Sequence, residues 1–194
     1  MPNWCYSSYV IEGKKKELQS LYSKMNRLEK RRKSLVENAF GKTWLGNLVT
    51  LLEADWNKVY CRGSWSDLEY DGEILRFNTE TAWGPMGEVF RLIKKTYPSL
   101  HIYYSCEEDG NCVYCSNDVN GRYFHDRYKV EAKCQTEYFA TLDALCDHVS
   151  GIIGKEVKTM DDINAAIESW NNATDDYDAM IYLNEYTLEA DELL

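Results

Sequence analysis

Residues 3–13 read Asn3-Trp4-Cys5-Tyr6-Ser7-Ser8-Tyr9-Val10-Ile11-Glu12-Gly13. In an extended chain, Trp4, Tyr6, Ser8 and Val10 fall on one side and Cys5, Ser7, Tyr9 and Ile11 on the other. Aromatic and β-branched residues at a period of two predict a strand, and Gly13 closes it. No basic-then-apolar leader precedes this strand, so the expectation is an interior element of a protein that stays in the cytoplasm. A strand of this kind needs neighbouring strands and a helical layer to cover it.

Leu18, Leu21, Met25, Leu28 and Leu35 recur at three- and four-residue steps and predict a helix over 14–36. Thr43 is placed to cap a second helix over 44–55. Residues 64–70 and 73–82 form two strand-like runs around Asp71-Gly72, a hairpin signal. Glu73, Arg76 and Glu80 read there as surface charges. Gly84-Pro85 opens a helix with Met86, Val89, Phe90, Ile93 and Tyr97 inward, and Pro98 ends it. A strand over 100–106 comes next. The order strand, helix, strand, strand, helix, strand predicts an α+β fold of ferredoxin-like split βαβ plan, its antiparallel sheet carrying an inserted helix. An extra hairpin, 112–116 with 122–131, turns at Asn120-Gly121. Thr141 and Thr159 cap two later helices, and the acidic stretch from Asp175 reads as a helix docking on the body, with a partner-binding arm as the alternative. The expected organisation is a domain over 1–135 with a helical extension over 136–194.

The 194 residues are 44% apolar, with 15 Tyr and 6 Trp for core. No apolar run reaches the ~18–20 residues of a membrane span. Net charge is −10, unevenly placed: residues 1–33 hold 9 Lys/Arg against 3 Asp/Glu, and residues 34–194 hold 13 against 29. The seven cysteines are odd in number and read as reduced thiols, several of them core residues.

Three stretches resemble the YubB-type ferredoxin-like proteins of phages, plasmids and conjugative elements. They are Pro2-Asn3-Trp4-Cys5, Thr81-Ala82-Trp83-Gly84-Pro85, and Tyr97-Pro98-Ser99-Leu100-His101-Ile102-Tyr103-Tyr104 running into Glu107-Glu108-Asp109-Gly110. The similarity covers residues 2–125. It implies the sheet-and-helix plan and an accessory role without an established activity, and it carries no catalytic residue.

Candidate chemistry is sparse. Cys106, Cys112 and Cys115, with Cys134 and His125 downstream, would suit tetrahedral zinc, although Cys112 and Cys115 fall on opposite faces of a regular strand. Core and surface thiols are the plainer reading, and no cofactor is expected. Glu107, Glu108 and Asp109 read as a solvated turn that could hold a cation. His101, His125 and His148 form no nucleophile-base-orienter pattern. The basic helix, Lys30, Arg31, Arg32 and Lys33 above all, could neutralise phosphates, with Tyr6, Tyr9, Tyr103 and Tyr104 as stacking platforms. Trp83, Glu107 and Glu108 complete the candidate contact residues. The expected role is a non-enzymatic interaction module with a protein partner or a second copy. Nucleic-acid binding through 14–33, nucleic-acid mimicry by the acidic body, and a zinc-stabilised module are the alternatives.

Overall fold

The computed structural model describes residues 2–37 and 39–189. The fold is α+β and divides into two compact units, which among the described residues are 2–119 with 188–189, and Asn120–Thr187. The expected boundary lay at 135; the chain divides sixteen residues earlier.

In the first unit, β1 (Trp4–Glu12) is flanked on both sides. It pairs antiparallel with β3 (Ile74–Ala82) and with β4 (His101–Glu108). β2 (Gly63–Tyr70) adds to β3, β5 (Val113–Ser116) adds to β4, and β9 (Thr187–Leu188) completes the order β2-β3-β1-β4-β5-β9. The period-two pattern holds over the first part of β1, where Cys5 and Tyr9 are buried and Trp4 and Tyr6 exposed; towards its end Val10 on the outer side is buried as well as Ile11. The buried side meets α1 (Lys15–Glu29) and α3 (Gly87–Thr96) through Leu18, Leu21, Met25, Leu28, Val89, Phe90 and Ile93. The Tyr9 ring stacks on Phe90 at 4.1 Å and on Phe77 at 5.2 Å. Each such apolar side chain contributes ~1.5–3 kcal/mol by leaving water.

Helix α1 ends at Glu29, seven residues short of expectation. Leu35 and Val36 still pack against the core, but from a loop that turns back after Lys30. Asn47, wholly buried, ties that loop down: it accepts the Val36 amide at 3.0 Å and donates to the Gly41 and Lys42 carbonyls, each at 3.0 Å. Helix α2 (Leu45–Leu51) is correspondingly short, with Trp44 rather than Thr43 in the capping position.

The second unit contains the three-stranded sheet β7-β6-β8, from β6 (Tyr128–Ala132), β7 (Gln135–Phe139) and β8 (Ile181–Glu185). Helices α4 (Leu142–Ile153) and α5 (Met160–Asn172) supply Leu145, Val149, Ile163 and Ile167 to a core with Val130 and Ile181. Thr141 accepts the Ala144 amide, and Thr159 forms a capping box with Asp162, so both helix starts obey the expected chemistry.

Two expectations are corrected here. The extension is not purely helical: Ile181 to Glu185 is a strand beside β6, its buried Ile181 directly opposite Ala132. The extra hairpin does not form either. β6 begins only at Tyr128 and takes β7 and β8 as partners, while β5 pairs with β4. Main-chain partners that sequence cannot foresee decide both cases.

Candidate functional site

The segment leaving α2 is built from turns. Glu53 has a left-handed φ of 60°. The Asp55 carboxylate accepts the Asn57 amide at 3.0 Å and its side-chain NH2 at 3.1 Å, which holds that carboxyl below its ordinary pKa. This turn carries Trp56 outward. The Cys61 thiol lies 3.7 Å from the Trp56 carbonyl, and the Tyr60 amide donates to Glu88 Oε2 at 2.6 Å. Burial first, and then the Glu88 charge, push the Cys61 thiol up to about 11.

On the facing side, Trp44 precedes α2, and its indole lies against Gly46, where a Cβ would collide with the ring. The Phe40 ring sits 5.5 Å from Trp44, and the Trp56 ring meets Trp44 edge-on at 5.3 Å. Trp44 is buried, whereas Phe40, Trp56 and Tyr60 are 61%, 36% and 48% exposed. Together they line an open cleft of about 480 Å³, with Lys58, Arg62 and Glu88 among its polar groups. That volume is in the ~300–1,000 Å³ range of small-ligand sites. The cleft lies wholly within the first unit.

Lys30, Arg31, Arg32 and Lys33 are not on a helix face as expected; they occupy the exposed loop after α1. The same loop runs on to Phe40 and Lys42, and Lys42 Nζ donates back to the Glu29 carbonyl at 2.7 Å. Among the described residues none of the four forms an ion pair, nor does Lys58 or Arg62.

The other candidates disperse. Tyr9 and Tyr104 are buried beneath the helices and cannot be stacking platforms; Tyr6 is 59% exposed, and Tyr103 is half-buried. Tyr104 donates to Glu189 at 2.7 Å, and burial followed by that carboxylate pushes its phenol up. Glu108 is buried and accepts the Gly110 and Asn111 amides at 2.8 and 3.0 Å and the Asn111 side chain at 2.7 Å. It caps a turn, so the expected solvated position is corrected. Glu107, on β4, is half-buried and stands opposite Tyr114 of β5 in the register. Trp83 is exposed with a left-handed φ of 71°, held by its amide's bond to the Asn3 carbonyl at 2.9 Å.

Cys106 and Cys115 are directly opposite in the β4–β5 register, their Cα atoms 5.4 Å apart, and are joined as a disulfide. The expectation of seven reduced thiols is therefore corrected, and neither sulfur is available to a metal. Cys112 is exposed in a left-handed turn at φ 54°, not on the strand, and Cys134 belongs to the second unit. Among the described residues no group of three or more His, Cys, Asp or Glu side chains converges. His101 and His125 are exposed; His148 lies 3.6 Å from Glu137 and packs against Phe139. No described helix is long and apolar enough to cross a membrane.

Sequence reasoning missed Phe40, Trp56 and Tyr60. Their signal was present: large aromatics outside any apolar period, with Gly41 beside Phe40, Asn57 beside Trp56, and Lys58 and Arg62 two residues either side of Tyr60. Compared with known proteins, the chain matches no family model, no curated protein sequence and no solved structure.

Proposed function

We propose that this chain is a non-enzymatic interaction module that binds through the aromatic cleft of its first unit. The observation that carries the reading is the convergence of Phe40, Trp44, Trp56 and Tyr60 on one open cleft, three of them with exposed rings. Exposed large aromatics held by a rigid frame are the usual material of binding hot spots. A ferredoxin-like core is part of the same proposal. The order β2-β3-β1-β4, with α1 after β1 and α3 joining β3 to β4, supports it. So does the packing of Asn3 against Gly110, residues from two of the stretches that resemble the YubB-type proteins: a Cβ on Gly110 would lie 2.6 Å from Asn3 Cγ. An accessory role in a mobile element is what that resemblance implies.

The test is site-specific photo-crosslinking in native cells, with a benzophenone amino acid placed at Tyr60 and, as control, at the exposed Glu168 of α5. The expected outcome is one dominant adduct from position 60 only. Equal adducts from both positions would remove the cleft as the binding surface. A turnover activity of the pure protein, abolished by one side-chain substitution, would remove the non-enzymatic reading.

A further inference from the structure

We infer that the occupant of this cleft is single-stranded nucleic acid, its bases stacked on Trp56, Tyr60 and Phe40 and its phosphates met by Lys58, Arg62 and the basic loop after α1. The inference rests on the cleft being the binding surface.

Charge selects the partner class. Residues 14–62 hold 12 Lys/Arg against 5 Asp/Glu, a net of +7, and the rest of the chain is net −17. The cleft itself is lined by Lys58 and Arg62 against Glu88, and the loop that carries Lys30 to Lys33 runs on into Phe40 at its rim, tied back by the Lys42 bond to the Glu29 carbonyl. Among the described residues Lys30, Arg31, Arg32, Lys33, Lys58 and Arg62 form no ion pair, and of these Lys58 alone acts on a neighbouring carboxylate, that of Asp55, so an incoming polyanion meets little internal competition. The carboxylate lining the cleft, Glu88, already spends one oxygen on the Tyr60 amide, which weakens the case for a cationic or methylammonium ligand.

The rings select the strand state. Every base offers a π-face, but in a duplex those faces are already stacked; an open cleft with rings exposed by 36–61% receives bases only from an unpaired strand. Stacking is worth ~1–3 kcal/mol per base and is tolerant of sequence. The expected binder is therefore sequence-tolerant and salt-sensitive.

Fluorescence anisotropy with the full chain tests this, using a labelled oligothymidylate of about 15 nucleotides and the same length of duplex. Single strand binds at least about tenfold more tightly than duplex, and log K against log salt falls by about 0.7 for each phosphate engaged. The double variant Trp56→Ala, Tyr60→Ala loses about tenfold or more with an unchanged salt slope. Trp56→Phe, Tyr60→Phe retains most of the affinity, which separates stacking from loss of fold. Replacing Lys30, Arg31, Arg32 and Lys33 with Gln flattens the slope. Equal binding of duplex, or indifference to the ring substitutions, overturns the inference. So does the absence of oligonucleotide binding at low salt. If a protein adduct still forms at position 60 in that last case, the interaction-module reading survives without this one; if none forms, both fall.

Discussion

The Glu88 carboxylate, in the first turn of α3, accepts the backbone amide of Tyr60 at 2.6 Å. That one bond fastens the rim of the aromatic cleft to the helical layer, and it places a negative charge near a helix N-terminus, where the dipole favours it. Glu88→Ala is expected to cost about 1–2 kcal/mol in urea unfolding. Glu88→Gln keeps an acceptor and loses less. Because the folded Cys61 thiol holds its proton above the ordinary 9.0 and up to about 11, the stability linked to it is complete below pH 9 and falls as pH rises toward 11. Glu88→Gln shrinks that alkaline loss, measurable as stability against pH.

Cys106 and Cys115 close a short loop across β4 and β5. Unfolded without reductant, the chain should alkylate at five cysteines, Cys5, Cys61, Cys112, Cys134 and Cys146, and after reduction at all seven. Mass spectrometry reads this directly. Loss of the cross-link is expected to cost about 2–3 kcal/mol, from the closure entropy of a loop this size. Seven alkylated cysteines without reductant would show the pair open.

Asn47 serves three backbone groups from a wholly buried position, the Val36 amide and the Gly41 and Lys42 carbonyls. Asn47→Ala leaves them without those partners and should destabilise by about 1–3 kcal/mol. The effect should show up as faster hydrogen exchange at the Val36 amide. Asn47→Leu, of similar bulk, should not rescue it, because the deficit is polar.

Asp71 makes the β2–β3 turn. Its carboxylate accepts the Glu73 and Ile74 amides at 2.9 and 2.8 Å and pairs with Arg76 at 3.0 Å, which together hold it down at about 2, against roughly 3.9 for an ordinary aspartate. A depressed carboxyl lends stability that is present above about pH 4 and fades as pH falls through the folded value near 2. A carbon-detected NMR titration of Asp71 should show the low midpoint. Asp71→Asn should flatten the acid limb of the stability curve.

Much of the first unit was legible because its elements carry clean periods. Cys5, Tyr9 and Ile11 on alternate positions, and Leu18, Leu21, Met25 and Leu28 at helical steps, face one core and are buried as their spacing demands. The Asp71-Gly72 turn and the Thr159 cap were legible because one or two side chains perform each task locally. The end of α1 was not: Leu35 continues the apolar period, but its burial is achieved from a loop held by Asn47, eleven residues beyond Val36. Lys30 to Lys33 read as part of that helix for the same reason.

By itself, the sequence determined the strand and helix alternation up to β4, the basic stretch and the acidic remainder. These depend on spacing and composition, which tertiary contacts do not alter. Only the tertiary structure decided that Cys106 meets Cys115, that Ile181 to Glu185 is a strand beside β6, and that Phe40, Trp44, Trp56 and Tyr60 share a cleft. Each of those depends on a partner distant along the chain or on a turn without period. Long-range pairing is selected by burial and hydrogen bonding summed over the whole fold, a quantity no local window of residues contains.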